Sequence, residues 1–96
     1  MKVNIRPEAE EDIFDSYRWY EERDVGLGEE FLRAIDACIA SVQRNPLSYP
    51  IVHKQIRRAL LRKFPHGIFY IVDGEDLIII ACFHVRRDPK KLEGRI

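Results

Sequence analysis

The sequence predicts an α+β fold of order β-α-α-β-β-β, with a helical hairpin packed on one face of a small, mainly antiparallel sheet. Three observations carry this. Two N-terminal segments place apolar residues at three-to-four spacing, which gives each helix one stripe to bury. Three later segments are apolar runs separated by turn residues, as strands are. The chain has 96 residues, near the lower end of the size at which one hydrophobic core suffices, so residues 1–96 are expected to form a single domain.

The elements follow in order. "MKVNIR" alternates Val3 and Ile5 with Lys2, Asn4 and Arg6, which suits a short strand. Pro7 followed by Glu8, Glu10, Glu11 and Asp12 opens a helix: proline fits the first turn, and carboxylates favour the positive end of the helix dipole. Ala9, Ile13, Ser16, Tyr17 and Tyr20 continue its period, and Gly26 is the expected stop. In the second helix Phe31, Ile35, Cys38, Ile39 and Val42 form one apolar stripe, and Asn45-Pro46 ends it. The short link "DVGLG" favours an antiparallel hairpin of the two helices. "NPLSYPIVHK" has two prolines and no period, and reads as irregular. "QIRRALLRKF", "GIFYIVD" and "DLIIIACFHVR" read as strands, separated by "FPHG" and "DGED", the second of which carries a strong hairpin signal.

Composition excludes several classes. No segment reaches the ~18 consecutive apolar residues of a membrane span. The N-terminus is acidic from Glu8 on and is not a secretory signal, so a cytoplasmic protein is expected. Cys38 and Cys82 both lie in apolar surroundings, as reduced core thiols do. With no Cys-x-x-Cys and no Cys/His cluster, neither metal nor cofactor is expected. The formal charge of zero hides an asymmetry. Residues 1–48 hold 6 Lys/Arg against 11 Asp/Glu, a net of −5, and residues 49–96 hold 10 against 5, a net of +5. A basic face on a neutral protein can still bind an anionic partner through its local potential.

Two helices must cover one sheet face, which leaves the other less covered, and it is expected to stay open. Arg57, Arg58, Arg62 and Lys63 on one strand, with Arg86 and Arg87 at the end of the last, form the candidate partner-binding set. Arg58 and Arg62 share parity with Leu60, and Arg57 and Lys63 with Ala59 and Leu61. Cys82, His84 and Arg86 share one face of the last strand, opposite Ala81, Phe83 and Val85, and the His84/Arg86 face is expected to be the open one. Register decides whether Arg57 or Arg58 joins it. His53 and His66 read as loop residues without a role. Tyr17, Trp19 and Tyr20, at helical spacing, read as core.

These residues resemble a family. "AEEDIFDSYRWYEE", "GLGEEFLRAID", "NPLSYP", "IRRALLRKFPHGIFYIV" and "IIIACFHVRRDP", in that order, resemble the RelE/ParE superfamily of bacterial type II toxin–antitoxin (plasmid stabilisation-type) toxins, over nearly the whole chain from Ala9 to Pro89. The resemblance implies a β-α-α-β-β-β fold, a cognate antitoxin and a toxin–antitoxin hetero-oligomer away from any membrane. Members of the RelE type cleave mRNA in the ribosome, and those of the ParE type act on DNA gyrase. Arg86 falls near a RelE-type arginine, and Arg57, Arg58 and Lys63 near its basic strand. His66-Gly67 replaces an arginine expected where the next strand opens, and no aromatic or histidine follows His84.

That departure has a chemical meaning. Cleavage of RNA by its own 2′-hydroxyl needs one group to take a proton, one to give a proton, and cations to hold the phosphate. Arginine serves only the last role, being always protonated. A nuclease reading would use His84 as base and Arg58, Arg62 and Arg86 as clamps, with catalytic residues His84 and Arg86 and Lys63 as a helper. One histidine is thin equipment for two proton transfers, so the sequence reads as more ParE-like than RelE-like, a growth inhibitor acting on gyrase.

Overall fold

The computed structural model describes residues 1–96. Strand β1 (Lys2–Ile5) leads into helices α1 (Pro7–Arg23) and α2 (Leu27–Arg44), then strands β2 (Ile51–His53), β3 (Ile56–Leu60), β4 (His66–Asp73) and β5 (Asp76–His84), and a C-terminal 3-10 helix, Pro89–Arg95. The five strands form one sheet in the order β1-β5-β4-β3-β2. Every pairing is antiparallel except β1 with β5, which is parallel. The α+β order is the expected one. The addition is β2, an edge strand inside the proline-containing segment read as irregular. It pairs at only two positions, Ile51 with Arg57 and His53 with Ile56, with a register shift between them. No helix is long and apolar enough to cross a membrane.

The helices form for the reasons their sequence gives. Pro7 and the acidic Glu8 and Glu10 occupy the first turn of α1, and Arg23 the last. In α2, Phe31, Ile35, Cys38, Ile39 and Val42 are all buried, as the stripe requires. The hairpin link is held by Glu21, whose carboxylate accepts from the backbone N–H groups of Gly26 (3.0 Å) and Gly28 (2.9 Å). A carboxylate there satisfies donors at the start of α2 and meets its positive dipole end. Gly26, expected to stop α1, instead precedes α2 with φ at 93°, a left-handed conformation that glycine tolerates. A Cβ on Gly28 would lie 2.8 Å from both Tyr17 and Glu21, so close packing of the helices needs a glycine there.

The larger core lies between helices and sheet: Ala9, Ile13, Phe31, Ile35, Cys38, Ile39 and Val42 meet Ala59, Leu61, Ile68, Tyr70, Leu77, Ile79 and Cys82. A second cluster, Ile56, Phe69, Ile80, Ala81, Phe83 and Leu92, fills the far side of the sheet. Ile80 is the extra residue of a bulge: Tyr70 pairs Ile79 and Phe69 pairs Ala81. The bulge lets Leu77 and Ile79 face the helices and then Cys82 do so as well.

The far face is not open, which corrects the sequence expectation. The C-terminal 3-10 helix lies across it as a strap and buries Leu92 completely. At one end Glu93 accepts from His53 (2.8 Å) and Lys54 (3.1 Å) beside β2. At the other, Arg95 grips Asp12 of α1 with two bonds of 2.8 and 3.0 Å and donates to the Ile80 carbonyl. Asp12 also accepts from the Cys82 N–H, so the pair is held from three elements. An apolar sheet face would otherwise meet water, and a single leucine plus a bidentate ion pair suffices to pin seven residues over it.

Candidate functional site

The six expected basic residues do not share a face. Arg57 stands opposite Tyr70 and donates to the carbonyls of Leu47 (3.2 Å) and Tyr49 (2.7 Å), so its guanidinium braces the loop before β2. Tyr70 braces the same loop by donating to the Pro46 carbonyl at 2.6 Å, and burial pushes its hydroxyl pKa up to about 12 despite the nearby Arg57. Arg58 stands opposite Phe69 on the strapped face, half-buried. Its stem lies over Gly67, where a Cβ would come within 3.0 Å of its Cγ, and its Nε is buried without a partner. Arg62 and Lys63 are exposed in the β3–β4 connection beside α2. Arg86 and Arg87 are exposed in the turn after β5, with the Arg87 guanidinium 4.1 Å from the centre of the Phe83 ring. Register thus assigns Arg57 to the helix side and Arg58 to the far side, and the set divides between them.

His84 also departs from expectation. With Cys82 packed in the helix-side core, the Cys82/His84 parity faces α1 and not the strapped side. His84 itself, at the end of its strand, is exposed and pairs directly with His66. Its Nδ1 accepts from the Arg86 N–H at 3.1 Å, so in neutral His84 the proton sits on Nε2. His66, read as a loop residue without a role, is the first residue of β4 and only 7% exposed. Its ring lies 5.4 Å from that of His84 and packs edge-on against Tyr20 and Phe31. Its Nε2 is 3.5 Å from the Ser16 hydroxyl, and its Nδ1 is buried without a partner. Burial, and secondarily His84, lower its pKa to about 4. One signal pointed to it: His66 has the parity of Ile68 and Tyr70, both buried against the helices.

Two clefts flank the helices. Along α1, a cleft of about 520 Å³ is lined by Asp15, Ser16, Trp19, Tyr20, Pro65, His66 and His84. Trp19, read as core, is 52% exposed here, with Arg23 stacked 3.4 Å above one face of its ring. Along α2, a cleft of about 520 Å³ runs over Ala34, Ala37, Cys38, Ala40 and Ser41 to Tyr49 and Leu60, with Arg44 and Arg62 also in its lining. A second cleft of about 430 Å³ continues it past Leu27, Glu30, Arg33, Lys63 and Phe64, sharing Ala34, Ala37 and Arg62, so its rim carries one carboxylate among the cations. Together they form one groove with a floor of small side chains. None of Arg33, Arg44, Arg62 and Lys63 is in a salt bridge. Leu60 is 55% exposed, with its side chain on the far face of the sheet beside Arg58. The thiols of Cys38 and Cys82 are both free, and burial raises them to about 11 and about 12, which keeps them protonated and unreactive.

Comparison with known proteins places this geometry. Residues 3–89 match the family model described as "ParE toxin of type II toxin-antitoxin system, parDE". No curated protein matches. Among solved structures, a chain from "Chromosomal ParDE TA system from P. aeruginosa" superposes with a TM-score of 0.65 at 19% identity, over 88% of this chain and 95% of that one.

Proposed function

The chain belongs to the ParE toxin family of type II toxin–antitoxin systems, and from that premise we propose that it arrests growth by inhibiting DNA gyrase and is neutralised by an antitoxin seated in the α2 groove. One observation carries the antitoxin's place: a continuous apolar groove along α2 whose rim cations have no carboxylate partner of their own. An amphipathic segment laid in it would bury the alanine floor, and acidic residues on its flanks would pair with Arg33, Arg44, Arg62 and Lys63. The far face of the sheet is a poorer seat, because the strap already occupies it. Such a complex is a hetero-oligomer and works in the cytoplasm, where gyrase is.

The gyrase reading is supported by the family and by how the cations are dispersed. A ribosome-dependent nuclease would need Arg58, Arg62 and Arg86 converging on His84. Arg58 instead lies on the strapped face, and Arg62 lines the α2 groove while His84 lines the α1 cleft. Induced expression tests the reading. Growth arrest with intact mRNA by primer extension, relieved by co-expressing the antitoxin, is the expected result. Codon-positioned cuts that vanish in His84→Ala would replace it with the nuclease.

A further inference from the structure

The geometry points to a second site, independent of the toxin reading: we propose that the α1 cleft binds a mononucleotide, its base against Trp19 and Tyr20 and its phosphate between His84 and Arg87. The α1 cleft adjoins a smaller one of about 200 Å³ that shares Asp15, Ser16, His66 and His84 and adds Arg87. The larger one lies within the ~300–1,000 Å³ of small-molecule sites.

The chemistry divides along its length. At one end stand Pro65 and two aromatic rings, Trp19 and Tyr20, set edge to face with centres 5.1 Å apart and planes at 86°, a corner into which the edge of a heteroaromatic ring fits. Arg23 covers one face of Trp19, which leaves the rest of that half-exposed ring for the cleft. At the floor is His66, more than nine-tenths buried, with Nδ1 unpartnered and Ser16 beside Nε2.

At the other end the local charge favours an anion. Two carboxylates line the smaller cleft, and both are already engaged: Asp12 by Arg95, and Asp15 by Arg18. Arg87 has no carboxylate partner, its guanidinium carbon lies 4.1 Å from the centre of the Phe83 ring, and it lines the smaller cleft together with His84. His84 Nε2 is free to donate, because Nδ1 is taken by the Arg86 N–H. A guanidinium and an imidazole together are a phosphate clamp.

Trp19 is the single tryptophan, so its emission reports the cleft directly. The full chain is titrated with adenosine 5′-monophosphate, adenosine and inorganic phosphate, with the histidine ring resonances followed in parallel. The expected result is saturable quenching by the nucleotide, at least tenfold tighter than by either fragment, with both His66 and His84 signals shifting. Arg87→Gln should weaken the nucleotide at least tenfold, towards adenosine alone. Trp19→Leu, followed by the histidine signals, should weaken it towards inorganic phosphate. Arg62→Gln, in the α2 groove, should change nothing. Both Arg87 and His84 are exposed, so their variants keep the fold. Absence of saturable binding, or unchanged nucleotide affinity in both Arg87→Gln and His84→Gln, overturns the proposal. Equal affinity for nucleotide and inorganic phosphate overturns the base site.

Discussion

At the scale of single residues, His66 is the side chain whose environment most constrains the chain's behaviour. Its imidazole is buried among aromatic rings, and a proton on it would be desolvated and would face His84. The folded pKa of about 4 lies below the ordinary value of 6.5. The unfolded chain therefore takes up the proton first as pH falls, and stability is lost between about pH 6.5 and 4. The shift corresponds to a loss on the order of 3 kcal/mol across that window. Urea unfolding at stepwise pH checks this: the midpoint should fall through that window in the parent and fall less in His66→Phe. An equal slope in both would show that other groups carry the pH dependence. Reading His66 from sequence failed for a local reason. Pro65-His66-Gly67 has turn composition, yet the Val85 N–H donates to the Pro65 carbonyl and the ladder continues through His66.

At the scale of elements, the helices were legible and the far side of the sheet was not. Pro7, the acidic first turn and the stripe from Phe31 to Val42 each act within one turn of helix, so sequence spacing suffices to read them. The strap acts across 83 residues, from Asp12 to Arg95, and "KKLEGRI" offers no period to announce it. The bulge at Ile80 is equally silent, because "LIIIACF" is apolar on both parities. Edge strand β2 was hidden by Pro46 and Pro50 just before it and by the shortness of its pairing. Leu92 is the strap's only fully buried side chain and packs with the far-face cluster. Leu92→Ala should lower stability by about 2–4 kcal/mol, measured by denaturant unfolding. Amide exchange should quicken in the strap and in β2 together, since Glu93 ties them. A loss under about 0.5 kcal/mol, the size of an ordinary surface substitution, would mean that the strap is loosely held.

At the scale of the whole molecule, the charge asymmetry of the sequence resolves into two kinds of cation. Some are internal braces: Arg57 holds a loop and Arg95 holds the strap. Others, Arg62, Lys63, Arg86 and Arg87, remain exposed without carboxylate partners. This division could not be read from composition, because register and the strap decide which guanidinium meets which carbonyl. The exposed set predicts how the antitoxin complex responds. Arg62→Glu together with Lys63→Glu should weaken antitoxin binding by at least tenfold, about 1.4 kcal/mol, mostly through slower association at low salt. Surface plasmon resonance across a salt series measures it. Unchanged association would move the antitoxin off the α2 groove.

The proposed growth arrest runs through gyrase and not through RNA. The most direct test is plasmid supercoiling by purified gyrase with increasing amounts of the purified chain. Dose-dependent loss of supercoiling is expected, restored by stoichiometric antitoxin and unaffected by His84→Ala. Full supercoiling in the presence of chain that still arrests growth would contradict it.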